Sequence, residues 1–462
     1  MASEDAVYRE SSQFRLWSFS PAQLDSLREQ TNALAHASIE ERRRESSSSS
    51  GGGDERSGSG SDAAAVPSSS GIVYLTPAEE KMLLDFYTVE LLRAAKFTEQ
   101  PTDVQATAAV FFRRFYVTHS IMTYPPAQLF KTALFFGAKS EGYYHKLDGF
   151  AEKFPNTTAA DILAGEFLLC QGIRFAFEVK HPFRALEGAV MELRRLVDVD
   201  AQRSTAAAAA TAATAGDASA DADADANELT DSRVSNAHRR AREILKFSPL
   251  VTDAYFHYSP SQIMFAALWL ADRALVERLL LGETFRRPGA ANGTGSDAAS
   301  SSAAATPSGS GNGNGNVAST STSTSTSTSK KKKSEAAAEW ERVNGADVRD
   351  RVMAAIQACS ELLAAEPPER FTTYWGQPES NNIIKPLLKK LKLCRDPDRF
   401  NLVALQQAKK QGAVKAYTKG GMPEDGAVFG KSLTAVPPAD SLHEAKRRKV
   451  AKLDDPFGPP LR

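Results

Sequence analysis

A chain of 462 residues with 56 basic and 56 acidic side chains carries no net charge at neutral pH, so it offers no global electrostatic case for nucleic-acid binding. Cys170, Cys359 and Cys394 stand alone, without disulfide or zinc-type spacing, and a reducing intracellular compartment is the expected environment. The start (MASEDAVYRESSQ) lacks the apolar core of a signal peptide, and the longest uncharged apolar run, residues 259–271, is too short to cross a bilayer. A soluble protein with no membrane partner is the expectation.

In chain order, residues 1–42 read as an amino-terminal helical segment and 43–71 as a Ser/Gly-rich disordered linker. Two further low-complexity stretches, the Ala/Asp tract at 200–232 and the tract at 284–338 with GNGNGN and STSTSTSTS, interrupt the later half. A basic tail closes the chain at 415–462. Such segments bury too little apolar surface to offset the entropy of ordering them. About 300 residues remain, which suits two domains of roughly 100 residues plus appendages.

Three helix starts share one chemistry. Ser20-Pro21-Ala22-Gln23, Thr76-Pro77-Ala78-Glu79 and Ser259-Pro260-Ser261-Gln262 each place a hydroxyl at the cap, proline at the first helical position and an amide or acid that reaches back. After the second, Met82, Leu83, Phe86, Val89 and Leu92 share a face. Over 102–118 the pattern continues with Val104, Ala108, Phe111, Phe112 and Phe115, while Arg113 and Arg114 are read as facing out. Strand-type alternation is not evident, so the fold class is all-α. YPPAQLFKTALFFGAK (124–139) aligns without gaps to YSPSQIMFAALWLADR (258–273), and each reads as a helix apolar nearly all round. Two such central helices imply two bundles. The first spans 72–178, with helices near 77–96, 102–119, 126–140, 146–153 and 158–172. The second spans 179–365, with helices near 182–197, 233–248, 259–273, 274–283 and 345–365, and carries the two later low-complexity tracts as insertions. A carboxy-terminal helical segment (366–414) puts Ile383, Leu387, Leu388 and Leu391 on one stripe.

Signals of catalysis are missing. The glycines cluster outside any strand–helix context, the histidines lack metal spacing, and no nucleophile–base set stands out. No enzymatic activity, cofactor, metal or direct small-molecule ligand is expected.

The motifs YRESSQFRLWSFS (8–20), LTPAEEKMLLDFY (75–87), FFRRFYVTHSIMTYPP (111–126), HPFRALEG (181–188) and LVTDAYFHYSPSQI (250–263) resemble the cyclins, and among them the cyclin H family. The likeness covers 8–32, 75–198, 233–283 and 345–395. It implies two tandem five-helix cyclin boxes with extra amino- and carboxy-terminal helices. It also implies that Lys139 and Glu166 form a pair gripping the mobile helix of a cyclin-dependent kinase catalytic subunit, with Phe136 and Phe175 lining an apolar pocket beside it. Read without a partner, Lys139 would serve its helix dipole and last carbonyls. Cyclins usually carry two consecutive acids shortly after the Lys. This chain has Ser140-Glu141-Gly142, which keeps Glu141 as a candidate and leaves the second acid in doubt. Trp17 and Phe19 read as core anchors of the amino-terminal segment.

By the same resemblance the partners are the kinase, a RING-finger assembly factor and a general transcription factor core complex, and the location is the nucleus. Lys330, Lys331, Lys332 and Lys333, and the set Lys446, Arg447, Arg448 and Lys449, read equally as nuclear import signals or as solvating charge. Two other readings stay open. One is another transcriptional cyclin, such as that of the mediator kinase. The other is a double-cyclin-fold initiation factor that binds promoter DNA, for which the zinc ribbon and basic surface are lacking.

Overall fold

The computed structural model describes residues 4–49, 72–212, 229–280, 346–373 and 378–419, and among these every regular element is helical. The amino-terminal segment forms α1 (Glu4–Glu10), α2 (Ser12–Trp17) and α3 (Pro21–Ser49). Next come α4 (Pro77–Phe97), α5 (Thr102–Thr118), α6 (Pro126–Ser140), α7 (Leu147–Ala151) and α8 (Ala159–Gly172). They are followed by α9 (Phe183–Ala212), α10 (Asp231–Leu245), the single turns α11 (Ser248–Val251) and α12 (Ala254–His257), α13 (Pro260–Ala271) and α14 (Arg273–Leu279). The last four are α15 (Ala346–Ala364), α16 (Arg370–Thr373), α17 (Pro378–Cys394) and α18 (Leu402–Lys419). The chain gathers into two compact units that cut across chain order. One holds Met1–Leu186, Arg239–Ala267 and Cys359–Arg462, and the other holds Glu187–His238 and Leu268–Ala358.

The three caps form as their sequences dictate. Thr76 and Glu79 exchange bonds at the start of α4, Ser20 and Gln23 do so at α3, and Ser259 and Gln262 at α13. A fourth box, Thr158 with Asp161, opens α8. Two helices outrun the expected boundaries. The polar α3 continues to Ser49, and α9 continues to Ala212, where six of its last seven residues are alanine, the best helix former.

In the first unit α6 packs against α4, α5 and α8, and α5 also meets α3 and α11. Covered on every side, α5 buries Arg113 and Arg114 at 3 % and 1 % exposure, which corrects the outward reading of both. Arg113 is held between Asp85 at 2.6 Å and Asp253 at 2.8 Å, while Arg28 of α3 makes two more bonds to Asp253 at 3.0 and 2.6 Å. Arg114 donates to the Ala176 carbonyl at 3.2 Å and lies 5.4 Å from the Trp17 ring. Met82, assigned by periodicity to the buried face of α4, is exposed.

The amino-terminal segment is fastened by long-range bonds. Trp17 is fully buried, and the Phe19 amide donates to the Phe256 carbonyl at 2.8 Å. Along α3, Thr31 donates to the Val117 carbonyl at 3.0 Å, Asn32 to the Leu75 carbonyl at 2.8 Å, and Arg42 pairs with Asp396. Helix α17 docks on α4 through Ile384, Leu387 and Leu391, with Cys394 also buried. Leu387 and Leu391 are buried as expected, while Ile383 is exposed and Ile384 takes its place on the stripe. In the second unit Leu193, Val234 and Val276 are fully or almost fully buried, and Arg233 clamps Asp272 at 2.6 and 3.0 Å where Asp272 caps α14.

Candidate functional site

Helices α6 and α8 lie close because small residues face each other. A Cβ on Gly165 would sit 2.9 Å from the Thr132 hydroxyl, and one on Gly137 would sit 3.0 Å from the Ala108 side chain on α5. The contact is stitched by Thr132 donating to the Ile162 carbonyl at 3.0 Å and Gln128 donating to the Asp161 carbonyl at 2.9 Å. This approach brings the last turn of α6 beside the middle of α8, where Lys139 and Glu166 form an ion pair. The Lys139 side chain keeps 39 % of its exposure and that of Glu166 19 %. The ammonium also lies 5.6 Å from the Phe135 ring.

Apolar groups surround the pair on an open surface. Leu163 and Phe167 on α8 are 40 % and 64 % exposed, and Phe175 just beyond it is 48 % exposed. Arg174 and Phe175 both take left-handed backbone (φ 58° and 54°), a conformation bulky side chains rarely adopt. The Phe175 ring meets Phe177 at 6.1 Å, Phe177 meets Phe136 at 5.3 Å, and Phe136 meets buried Phe111 at 5.7 Å. Phe136 and Phe175 are therefore joined through Phe177, which sequence reading passed over. Its position in a loop outside any helical period left no signal. Burial, together with the nearby Glu166 carboxylate, pushes the Cys170 thiol up to about 11, so this half-buried cysteine stays protonated.

Glu141 does not join the pair. Its carboxylate accepts from the Thr107 hydroxyl at 2.6 Å, Thr107 meets His181 Nε2 at 2.8 Å, and His181 Nδ1 meets the Tyr255 hydroxyl at 2.8 Å. One set of proton positions satisfies the whole relay: Tyr255 donates to His181, His181 to Thr107 and Thr107 to Glu141. Burial holds His181 down at about 3, with Arg114 adding to the effect, so the imidazole is neutral as the relay requires. The basic sets Lys330 to Lys333 and Lys446 to Lys449 lie outside the described residues. No described helix is long and apolar enough to cross a membrane.

The all-helical scaffold and the pairing of Lys139 with Glu166 are in line with the architecture that the cyclin resemblance implies. Residues 181–364 match the cyclin C-terminal domain family. The chain is 28 % identical over 278 residues to Cyclin CCL1 of Saccharomyces cerevisiae, covering 60 % of this chain and 61 % of that protein. It is 32 % identical over 123 residues to Cyclin mcs2 of Schizosaccharomyces pombe, covering 27 % of this chain and 38 % of that one. It thus spans about three fifths or less of these relatives. A chain in the structure of the CAK complex from Chaetomium thermophilum bound to ATP-γ-S is 40 % identical, with a TM-score of 0.61, over 92 % of this chain and 100 % of that one. The protein belongs to the cyclin H family.

Proposed function

We propose that this chain is the activating cyclin subunit of a cyclin-dependent kinase, within the CDK-activating kinase assembly that serves as the kinase module of a general transcription factor. The observation that carries the reading is the Lys139–Glu166 pair, set on an open surface among Leu163, Phe167 and Phe175. Two opposite charges presented together can bond the backbone of a docked helix, while the exposed apolar side chains are buried beneath it. Docking of this kind favours the kinase conformation in which its own Lys–Glu pair and metal-binding Asp are in place. The cyclin does no chemistry. Its partners are the kinase, a RING-finger assembly factor and the transcription factor core, its setting is the nucleus, and the substrate of the assembly is the carboxy-terminal domain of RNA polymerase II.

The test is co-purification of the tagged full chain, followed by assay of the recovered kinase on a polymerase tail peptide. Wild type is expected to recover a kinase and a RING-finger protein. Lys139→Ala with Glu166→Ala is expected to weaken kinase association about 10- to 100-fold, or about 1.4–2.8 kcal/mol. Recovery of mediator subunits would keep the mechanism and move the complex. Recovery of promoter-DNA factors without a kinase would overturn the reading.

A further inference from the structure

A groove of about 640 Å³ opens in the first unit between the end of α4, the first half of α6, the turn before α8, and α16. Its walls are aromatic: Phe154 and Phe371 line it, and Phe97 stands at its edge with 72 % of its surface exposed. Lys96, Lys131 and Lys153 line it as well. The one carboxylate there, Glu90, is occupied by Arg93 at 3.3 Å. Lys96 sits 3.6 Å from the Phe371 ring centre, and Lys131 lies 5.7 Å from that of Phe154 while donating to the Thr157 hydroxyl at 2.6 Å.

Some lysines of the unit are neutralised by a carboxylate. Lys81, Lys139, Lys180 and Lys390 are each paired with a carboxylate. Among the described residues Lys96, Lys131 and Lys153 have no such partner. Burial and the charge of Lys246 hold Lys96 below its ordinary range, and burial does the same to Lys131. Glu90 is engaged by Arg93, and the charge of Asp161 does not offset the burial of Lys131, so an incoming carboxylate relieves the hydration that these lysines lose. The exposed Phe97 adds apolar surface that only a non-polar side chain would cover.

We propose that this groove docks an acidic segment of a partner protein, with an apolar side chain lying against Phe97 and flanking carboxylates reaching Lys96, Lys131 and Lys153. A peptide suits it better than a nucleic acid. Single strands need a basic track several phosphates long, whereas here the cations ring one cup on a chain of zero net charge. Lys131 and Lys139 lie on the same helix eight residues apart, about 12 Å along the axis, so this site is separate from the kinase-facing pair and does not rest on it.

The test is fluorescence anisotropy of the full-length protein with a fluorescein-labelled peptide of about 12 residues, Asp and Glu around one central Phe. Two comparators replace the Phe by Ala, or every acid by Lys. The Phe-containing acidic peptide should bind about tenfold tighter than either comparator and lose affinity as salt rises. Lys96→Glu with Lys131→Glu should weaken it at least about tenfold, while kinase recovery stays at the wild-type level. Should that double variant lose helicity by circular dichroism, the exposed changes Lys153→Glu and Phe97→Ser carry the test, each with an expected loss of about threefold or more. Equal binding of the three peptides, or binding unchanged in the variants, overturns the proposal. So does a single-stranded RNA that binds more tightly than the peptide and displaces it.

Discussion

Two ion-pair sites in the first unit use the same chemistry at different depths. Arg113, 3 % exposed, bonds Asp85 and Asp253 through its two terminal nitrogens, and Asp253 is further bonded by Arg28. Burial alone would raise the Asp253 carboxyl, yet Arg113, Arg28 and Lys81 together hold it well below the usual carboxylate range. Lys139 and Glu166 make one bond to each other at the surface and keep further hydrogen-bonding capacity. The interior cluster is closed upon itself and serves the fold. The surface pair contributes little to the fold and remains available to a second protein.

The largest expected effect lies at the buried cluster. Arg113→Met removes the buried cation between Asp85 and Asp253, leaving Lys81 and Arg28 as their remaining partners, and should lower stability by about 3–5 kcal/mol in urea denaturation. A loss under about 1 kcal/mol would place the cluster with ordinary surface pairs. Glu80 lies between the two, half-buried and bonded to Ser120 and Asn32 but in no ion pair among the described residues. Burial outweighs those bonds and pushes its carboxyl up to about 7 from an ordinary 4.5. The folded state therefore holds this proton more tightly than the unfolded chain does. Its contribution is full below pH 4.5 and is lost as pH rises through 7. Glu80→Gln keeps the acceptor without the charge, so its stability relative to wild type should climb between pH 4.5 and 7. The slope should be up to about 1.4 kcal/mol per pH unit, measured by denaturation at several pH values. A difference independent of pH would remove Glu80 as a titrating group. The smallest effect belongs to the surface pair. A double-mutant cycle on Lys139 and Glu166 should give a coupling of about 0.2–1 kcal/mol for folding, far below the effect on kinase association.

What could be read from the residues was mostly local. Capping at Ser20, Thr76 and Ser259 is settled within four residues, and the two matching apolar helices announce their burial by composition. Lys139 and Glu166 were reached only through the resemblance, because a lysine at a helix end also satisfies its own carbonyls. Arg113 was misread because its partner Asp253 lies 140 residues away and nothing in the period of α5 signals that neighbour. Ile383 and Ile384 show the same limit at smaller scale. Both are apolar, and only the docking of α17 on α4 decides which of them is buried.

The fastening of α3 has a consequence in time. Arg42 meets Asp396, a residue 354 positions later in the chain. At a synthesis rate of about 5–20 residues per second, α3 is made about 20–70 s before that partner exists. The bonds of Thr31 to Val117 and of Asn32 to Leu75 need only about the next 90 residues, so the middle of α3 can seat early while its Arg42 end waits. One helix is thus fastened at two times, by near partners early and by Asp396 late.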